Sequence, residues 1–172
     1  MRFLIETYPR KIWRSHTNFD AMTGFWLSRH LEFRRGLGLL QTQTQNALDR
    51  LQDPDAARNR IRHLTHYFIE ALHGHHQIED HHYFPLLIGA EPRLERGFDM
   101  LDKDHHALTD HLDQLQTTAR HMARPDTQPD FGGMLAILEP FEVFLDRHLV
   151  DEEDLIVPII LEHGLEHGPV HD

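Results

Sequence analysis

His75-His76-Gln77-Ile78-Glu79-Asp80-His81-His82-Tyr83-Phe84-Pro85 and His148-Leu149-Val150-Asp151-Glu152-Glu153-Asp154-Leu155-Ile156-Val157-Pro158 carry one pattern twice. In each, a histidine stands four residues before a glutamate, a second acid follows that glutamate, and a proline closes the segment six residues after it, behind two bulky residues. On a helix, side chains four apart share a face about one turn apart, so an imidazole nitrogen and a carboxylate oxygen can converge on one small object. The repetition assigns the two segments to equivalent places in one fold, and the object they converge on is read as a metal ion.

Working outward, the chain-breaking residues divide the sequence into four long helices. The first runs from about Asn18 to Leu51 and is closed by Asp53-Pro54-Asp55, where an acid suits the cap and a proline suits the first turn of the next helix. The second runs from about Pro54 to Ile88, and Gly89-Ala90-Glu91-Pro92 marks the next turn. The third extends to about Ala123, with Gly97 as a weak point, and Arg124-Pro125-Asp126-Thr127-Gln128-Pro129 reads as a loop. The fourth runs from about Asp130 to Gly164, and Pro140 inside it should bend it or displace its start. Short connections make neighbouring helices antiparallel. The expected fold is therefore all-α: an up-down-up-down four-helix bundle over residues 16–164, with an N-terminal arm at 1–15 and a C-terminal tail at 165–172.

Periodicity picks out the inward faces. Phe19, Thr23, Trp26, His30, Phe33, Leu37 and Leu40 alternate steps of three and four, the seam of a packed helix. The second helix gives Ile61, Phe68, Leu72, His75, Glu79, His82 and Leu86, and the third gives Leu94, Phe98, Leu101, His105, Leu108, Leu112 and Leu115. Phe141, Leu145, His148, Glu152, Leu155 and Ile159 complete the set. All four seams thus carry a polar residue into the core. One inward histidine is ordinarily a hydrogen-bonded core residue. Two buried glutamates beside four buried histidines are different, because an ionised carboxylate buried without a partner costs several kcal/mol. A metal centre resolves the conflict.

Composition narrows the chemistry. Seventeen Lys and Arg against 28 Asp and Glu give a formal charge of -11, which leaves no basic patch for a phosphate backbone and argues against nucleic acid. No apolar run approaches the roughly 20 residues that span a bilayer, and Met1-Arg2-Phe3-Leu4-Ile5-Glu6 does not read as a signal peptide. The expectation is a soluble, cytoplasmic protein. With zero cysteines, thiolate ligands are excluded, and the 17 histidines supply nitrogen donors alongside carboxylate oxygen. Such donors suit iron, manganese or zinc, and a shared core of two motifs favours a six-coordinate di-iron or di-manganese pair over tetrahedral zinc. His76, Asp80, His82 and Glu153 are read as groups that orient ligands, and His16 as a cap or an orienting group. His63, His66, His81, His121, His163, His167 and His171 are read as solvated.

From about Asn18 to Leu161 the chain resembles the hemerythrin-like, HHE cation-binding domains, most specifically in the two His-x-x-x-Glu segments that end in proline. The resemblance implies a four-helix bundle around a non-haem di-iron centre bridged by oxide or hydroxide, with manganese or zinc ranked behind iron. It implies His30 as the first-helix ligand, His75 and Glu79 as those of the second, His105 of the third, and His148 with Glu152 of the fourth. The two glutamates would bridge the metals. One departure is plain: the family's oxygen carriers use two third-helix histidines spaced by four, and four residues after His105 stands Thr109. His76, His106, His111 or an exogenous ligand is left to fill that position.

The function expected is a di-iron protein that binds O2, NO or peroxide for sensing, scavenging or storage. The alternatives are an enzyme turning over peroxide or nitric oxide or aiding iron-centre repair, and a metal-dependent regulatory or interaction module. The apolar arm, with Phe3, Leu4, Ile5, Ile12 and Trp13, is free on sequence grounds to pack across the bundle or against a second subunit in a homo-oligomer.

Overall fold

The computed structural model describes residues 2–122, 124 and 127–164, so the C-terminal tail at 165–172, with His167 and His171, lies outside the described residues. Six α-helices follow in order: α1 (Arg2–Thr7), α2 (Ala21–Leu48), α3 (Pro54–Ile78), α4 (Phe84–Ala90), α5 (Glu95–Met122) and α6 (Phe131–His163). A 3-10 turn at Arg10–Ser15 lies between α1 and α2, and another at Pro92–Leu94 leads into α5. Between α3 and α4 the chain does not break but winds through a π-turn, Glu79–Tyr83, so α3, the π-turn and α4 form one rod. No strand occurs among the described residues.

The helix ends are written locally. Asp20, Asp53 and Asp130 each accept a hydrogen bond from the backbone N–H three residues on, at 2.7, 2.8 and 2.7 Å, and Pro54 opens α3. Gly164 ends α6 in the left-handed conformation with φ 59°, where a side chain would be strained. Pro140 does not displace the start of α6, because Asp130 caps the first turn and Phe131, Met134 and Leu138 anchor it in the core. Gly97, in the first turn of α5, permits a close approach: a Cβ there would stand 2.9 Å from Leu155 Cδ2.

The four long rods form a closed square in which α2 packs on α3 and α6, and α5 packs on α3 and α6. Every neighbouring pair is antiparallel. His30 lies beside Glu153 while Gln41 lies beside Glu142, and Phe33 meets Phe68 while Arg60 reaches back to Gln43. Arg147 meets Asp104 while His111 meets Phe141, and His105 meets Asp80 while Arg58 meets the Arg124 carbonyl. The arm packs across the bundle. Leu4 and Trp13 are buried with Ile156, Ile159 and Ile160 of α6, Tyr8 donates to Glu162 at 2.7 Å, and Asn18 donates to the Leu161 carbonyl at 2.7 Å.

Two apolar clusters fill the bundle. One contains Phe33, Leu37, Leu40, Leu72, Leu108, Leu115, Leu145 and Leu149, and the other contains Trp26, Phe84, Leu87, Phe98, Leu101, Leu155 and Val157. Each rod crosses from one cluster to the other through polar residues: His30 on α2, His75 to Asp80 at the end of α3, His105 on α5, and His148 to Glu153 on α6. The expected seams hold on α2, α5 and α6. On the second rod they hold only up to Glu79, since His82 and Leu86 are exposed and Phe84 and Leu87 are buried in their stead. The π-turn adds one residue to the helical ladder and so rotates the residues after it, bringing Phe84 and Leu87 to the inward face.

The shifted register has a direct test. Leu87→Ala should lower unfolding stability by about 2–5 kcal/mol, and Leu86→Ala, at a position 43% exposed, by no more than about 0.5 kcal/mol. Equal losses in chemical denaturation would restore the uninterrupted α register. A second test concerns Glu91, held by Arg93 at 2.6 and 2.8 Å and by His163 at 3.5 Å, which draw its carboxyl down to about 2. A depressed carboxyl stabilises the fold above the ordinary Glu value near 4.3 and loses that contribution as pH falls toward 2. Thermal stability of Glu91→Gln should therefore lie below wild type at pH 7 and converge with it near pH 2.

Candidate metal centre

The polar layer gathers nitrogen and oxygen donors from all four rods. His30, Glu79, His148 and Glu152 are fully buried, His76 and His105 nearly so, and His75 lies at the edge of the layer. Two groups of donor atoms, each mutually within 4.8 Å, form here: His30, His75, Glu79 and Glu152 in one, and His76, His105 and His148 in the other. All six residues expected as ligands are present, and His76 joins them.

The two carboxylates stand between the groups. Glu79 turns Oε1 to His75 Nε2 at 2.9 Å and to His30 Nε2 at 4.0 Å, and turns Oε2 to His105 Nε2 at 3.9 Å. Glu152 sets Oε2 at 3.5 Å from His30 Nε2 and 3.6 Å from His148 Nε2, with Oε1 3.7 Å from His105 Nε2. His30 Nε2 and His75 Nε2 lie 3.0 Å apart. In the other group the His76 and His105 rings stack at 4.1 Å, and His148 lies 5.4 and 4.9 Å from them.

His76 enters because α3 occupies a corner of the square. Consecutive helical residues point about 100° apart, close to the angle between the two neighbours of a corner helix. His75 leans toward α2 and meets His30, and His76 leans toward α5 and meets His105. A single-stripe seam allows only one of the two inside, and for that reason periodicity ranked His76 as an orienting group. The signal that finds it is the adjacent pair His75-His76 together with Thr109, whose hydroxyl merely donates to the His105 carbonyl at 3.0 Å. His106 is exposed, and His111 packs against Phe141 and Phe144 away from the layer.

Behind the donors stands a second tier that follows the sequence repeat. The acid after each glutamate takes the far nitrogen of an imidazole on a neighbouring helix: Asp80 sits 2.7 Å from His105 Nδ1, and Glu153 sits 3.2 Å from His30 Nδ1. A carboxylate there keeps a proton on Nδ1 and turns Nε2 into the layer. Trp26 donates its indole N–H to Glu79 Oε1 at 2.6 Å and packs its ring 4.1 Å from that of His30. His16 takes no part, since its Nδ1 caps the local turn by accepting from the Asn18 N–H at 3.2 Å.

Charge in the layer is unevenly shared. Burial lowers the His30 imidazole, but the carboxylates of Glu153, Glu79 and Glu152 outweigh it and carry the group up to about 9. His105 reaches about 9 likewise, burial being overcome by Glu152, Glu79 and Asp80. Burial, reinforced by neighbouring imidazoles, holds His148 below and His76 well below the ordinary value. For Glu79 the burial that would raise its carboxyl is overcome by His75 and His30, and it falls well below the usual range. Even so, His76 Nε2, His105 Nε2, both His148 nitrogens, Glu79 Oε2 and both Glu152 oxygens find no hydrogen-bond partner. Buried polar atoms are seldom left so. Orphaned atoms converging from three imidazoles and two carboxylates, from which a cation would displace any proton, are a donor set that fits divalent or trivalent cations.

Of the comparisons with known proteins, one bears on this chemistry. A protein of Haemophilus influenzae, described only as uncharacterized, is 29% identical over 100 residues, which cover 58% of this chain and 56% of that relative, so the match spans little more than half of either. No solved structure matches the chain. No helix among the described residues is long and apolar enough to cross a membrane. The family model described as the hemerythrin HHE cation-binding domain matches residues 21–160, from the first turn of α2 almost to the end of α6, and the chain belongs to that family.

Proposed function

We propose that this chain is a non-haem di-iron protein that binds O2, NO or peroxide for sensing, scavenging or storage. One observation supports the reading: two groups of nitrogen donors share a single pair of fully buried carboxylates, with seven side-chain atoms of the layer left without a hydrogen-bond partner. One ion would be held by His30, His75, Glu79 and Glu152 and the other by His76, His105 and His148, toward which the same two carboxylates also turn. Nitrogen and oxygen donors without thiolate favour iron or manganese at high coordination number over tetrahedral zinc, and family membership favours iron. Bound there, iron would supply Lewis acidity and one-electron redox change to a small ligand.

The chain's own residues do the rest. Asp80 and Glu153 hold His105 and His30 with Nε2 aimed inward, and the Trp26 N–H fixes the rotamer of Glu79. The apolar clusters on either side keep bulk water from the layer. The groups are unequal, with two imidazoles on one side and three on the other. With the carboxylates counted, the His30 group holds four donors and the His76 group three, so at high coordination number either side would leave room for an exogenous ligand.

Elemental analysis of untagged protein should find two iron atoms per chain, and iron uptake should raise the melting temperature. Glu79→Ala and His76→Ala should lose metal and that gain in stability together, whereas His106→Ala and His163→Ala should lose neither; full metal content in Glu79→Ala would overturn the reading. Reversible change in visible absorption on exposure of the reduced protein to O2 distinguishes a binder from a catalyst, which would instead consume peroxide or NO beyond stoichiometry. A further outcome follows from the orphaned nitrogens: in metal-free protein His148→Leu should raise stability by about 1–3 kcal/mol while abolishing metal uptake. A metal-free His148→Leu protein less stable than wild type would mean that the imidazole serves the fold and not a cation.

A further inference from the structure

The arm does more than cover apolar surface. Arg10, in the 3-10 turn after α1, wraps the turn of α6 that carries Glu152: its Nη1 donates to Glu153 Oε2 at 2.5 Å, its Nε to Asp154 Oδ1 at 2.8 Å, and its Nη2 to the Val150 carbonyl at 3.3 Å. Its guanidinium also lies 5.0 Å over the ring of Trp13, which is buried and donates its indole N–H to the Tyr8 carbonyl at 2.8 Å. Glu153 is the residue on which this grip acts. Its side chain is 7% exposed, and it serves three partners: Oε1 faces His30 Nδ1 at 3.2 Å and Arg34 Nη1 at 2.8 Å, and Oε2 faces Arg10.

We propose that the N-terminal arm is a latch on the metal layer, in which Arg10 acts through Glu153 as a positioning residue that holds His30 in place and slows the departure of the ion His30 helps to bind. The proposal rests on the two-metal reading above. An exposed ion pair is worth little, and Arg10 alone, its side chain 46% exposed, would be dismissed on that ground. Its partner is not exposed, however. A nearly buried carboxylate must keep its compensating donors, and freeing one oxygen allows Glu153 to rotate toward the remaining partner, Arg34, and away from His30. Outer partners of a ligating histidine typically change metal affinity by about 10–100-fold. Among the described residues no hydrogen bond or ion pair joins His76, His105 or His148 to Glu153 or Arg10, so the latch acts on the His30 group.

Cobalt(II) is a suitable probe, because its visible bands report its coordination and it does not react with O2 as iron does. Full-length wild type and variants are loaded, the bound metal is counted, and release into excess chelator is followed. Wild type should take up two equivalents and release both slowly. Arg10→Ala and Glu153→Gln should also take up two equivalents but release one of them about tenfold faster, with altered visible bands, and Arg10→Lys, which keeps a cation, should lie between. Tyr8→Phe cuts another polar tie of the arm, to Glu162, without touching Glu153, and should release metal as wild type does. Wild-type release in Arg10→Ala and Glu153→Gln would overturn the latch and leave the two-metal reading intact. Equal acceleration in Tyr8→Phe would overturn it in favour of general loosening of the arm. A wild-type protein that takes up no cobalt would sink both.

Discussion

Glu79 and Glu152 lie fully buried at the middle of an apolar bundle, and the rest of the structure is arranged around that fact. A carboxylate so placed costs several kcal/mol unless donors or cations surround it, in a domain whose net stability is about 5–15 kcal/mol. Every long rod therefore delivers a polar residue at the same level, between the two apolar clusters. Sliding any rod by one turn, about 5.4 Å, would drive a carboxylate into hydrocarbon and a leucine among the imidazoles. The clusters drive collapse, and the layer between them sets the register in which the rods collapse.

Most of this frame was legible in the sequence because its signals are local. Asp53-Pro54, the acid at Asp130 and the glycine at Gly164 end helices by the hydrogen-bonding and backbone preferences of single residues, and the seams of α2, α5 and α6 follow directly from spacing. Legibility failed at Glu79–Tyr83. A π-turn is one extra residue in a continuous ladder, and no composition marks it. Strict periodicity therefore put His82 and Leu86 inside, where the structure has Phe84 and Leu87. For another reason, His76 was legible only as an orienting group and as one of three histidines that could fill the place left by Thr109. A seam is a line, whereas a helix at the corner of a square has two inward faces, and only the identity of both neighbours shows that adjacent residues each find a partner.

The repeat carried more information than ligand spacing. Its second acid, Asp80 in one copy and Glu153 in the other, reaches the Nδ1 of a histidine on a neighbouring helix, so the motif supplies an inner carboxylate and the support for a partner's imidazole together. The role of that acid was foreseeable, but its partner was not. His105 lies 25 residues from Asp80, and His30 lies 123 from Glu153. Nothing in the pattern links those positions before the rods close. The same holds for Arg10, whose contacts with Glu153 span 143 positions and exist only because the arm folds back over α6.

Equivalent in sequence, the two supporting acids are unequal in structure, and the inequality bears on chemistry. Asp80 is partly exposed and has His105 as its charged partner, whereas Glu153 is nearly buried and divides its charge among His30, Arg34 and Arg10. A carboxylate that gives most of its charge to an imidazole makes the opposite nitrogen a stronger donor, and one already answered by two guanidinium groups does so less. The layer evens out that difference, since both imidazoles are carried up to about 9: Glu153 leads the carboxylates that raise His30, and Glu152 leads those that raise His105, with Asp80 behind. The two sides therefore reach one result by different routes: His105 leans first on the inner carboxylates with Asp80 behind them, and His30 leans first on Glu153, whose burial the guanidinium groups of Arg10 and Arg34 offset.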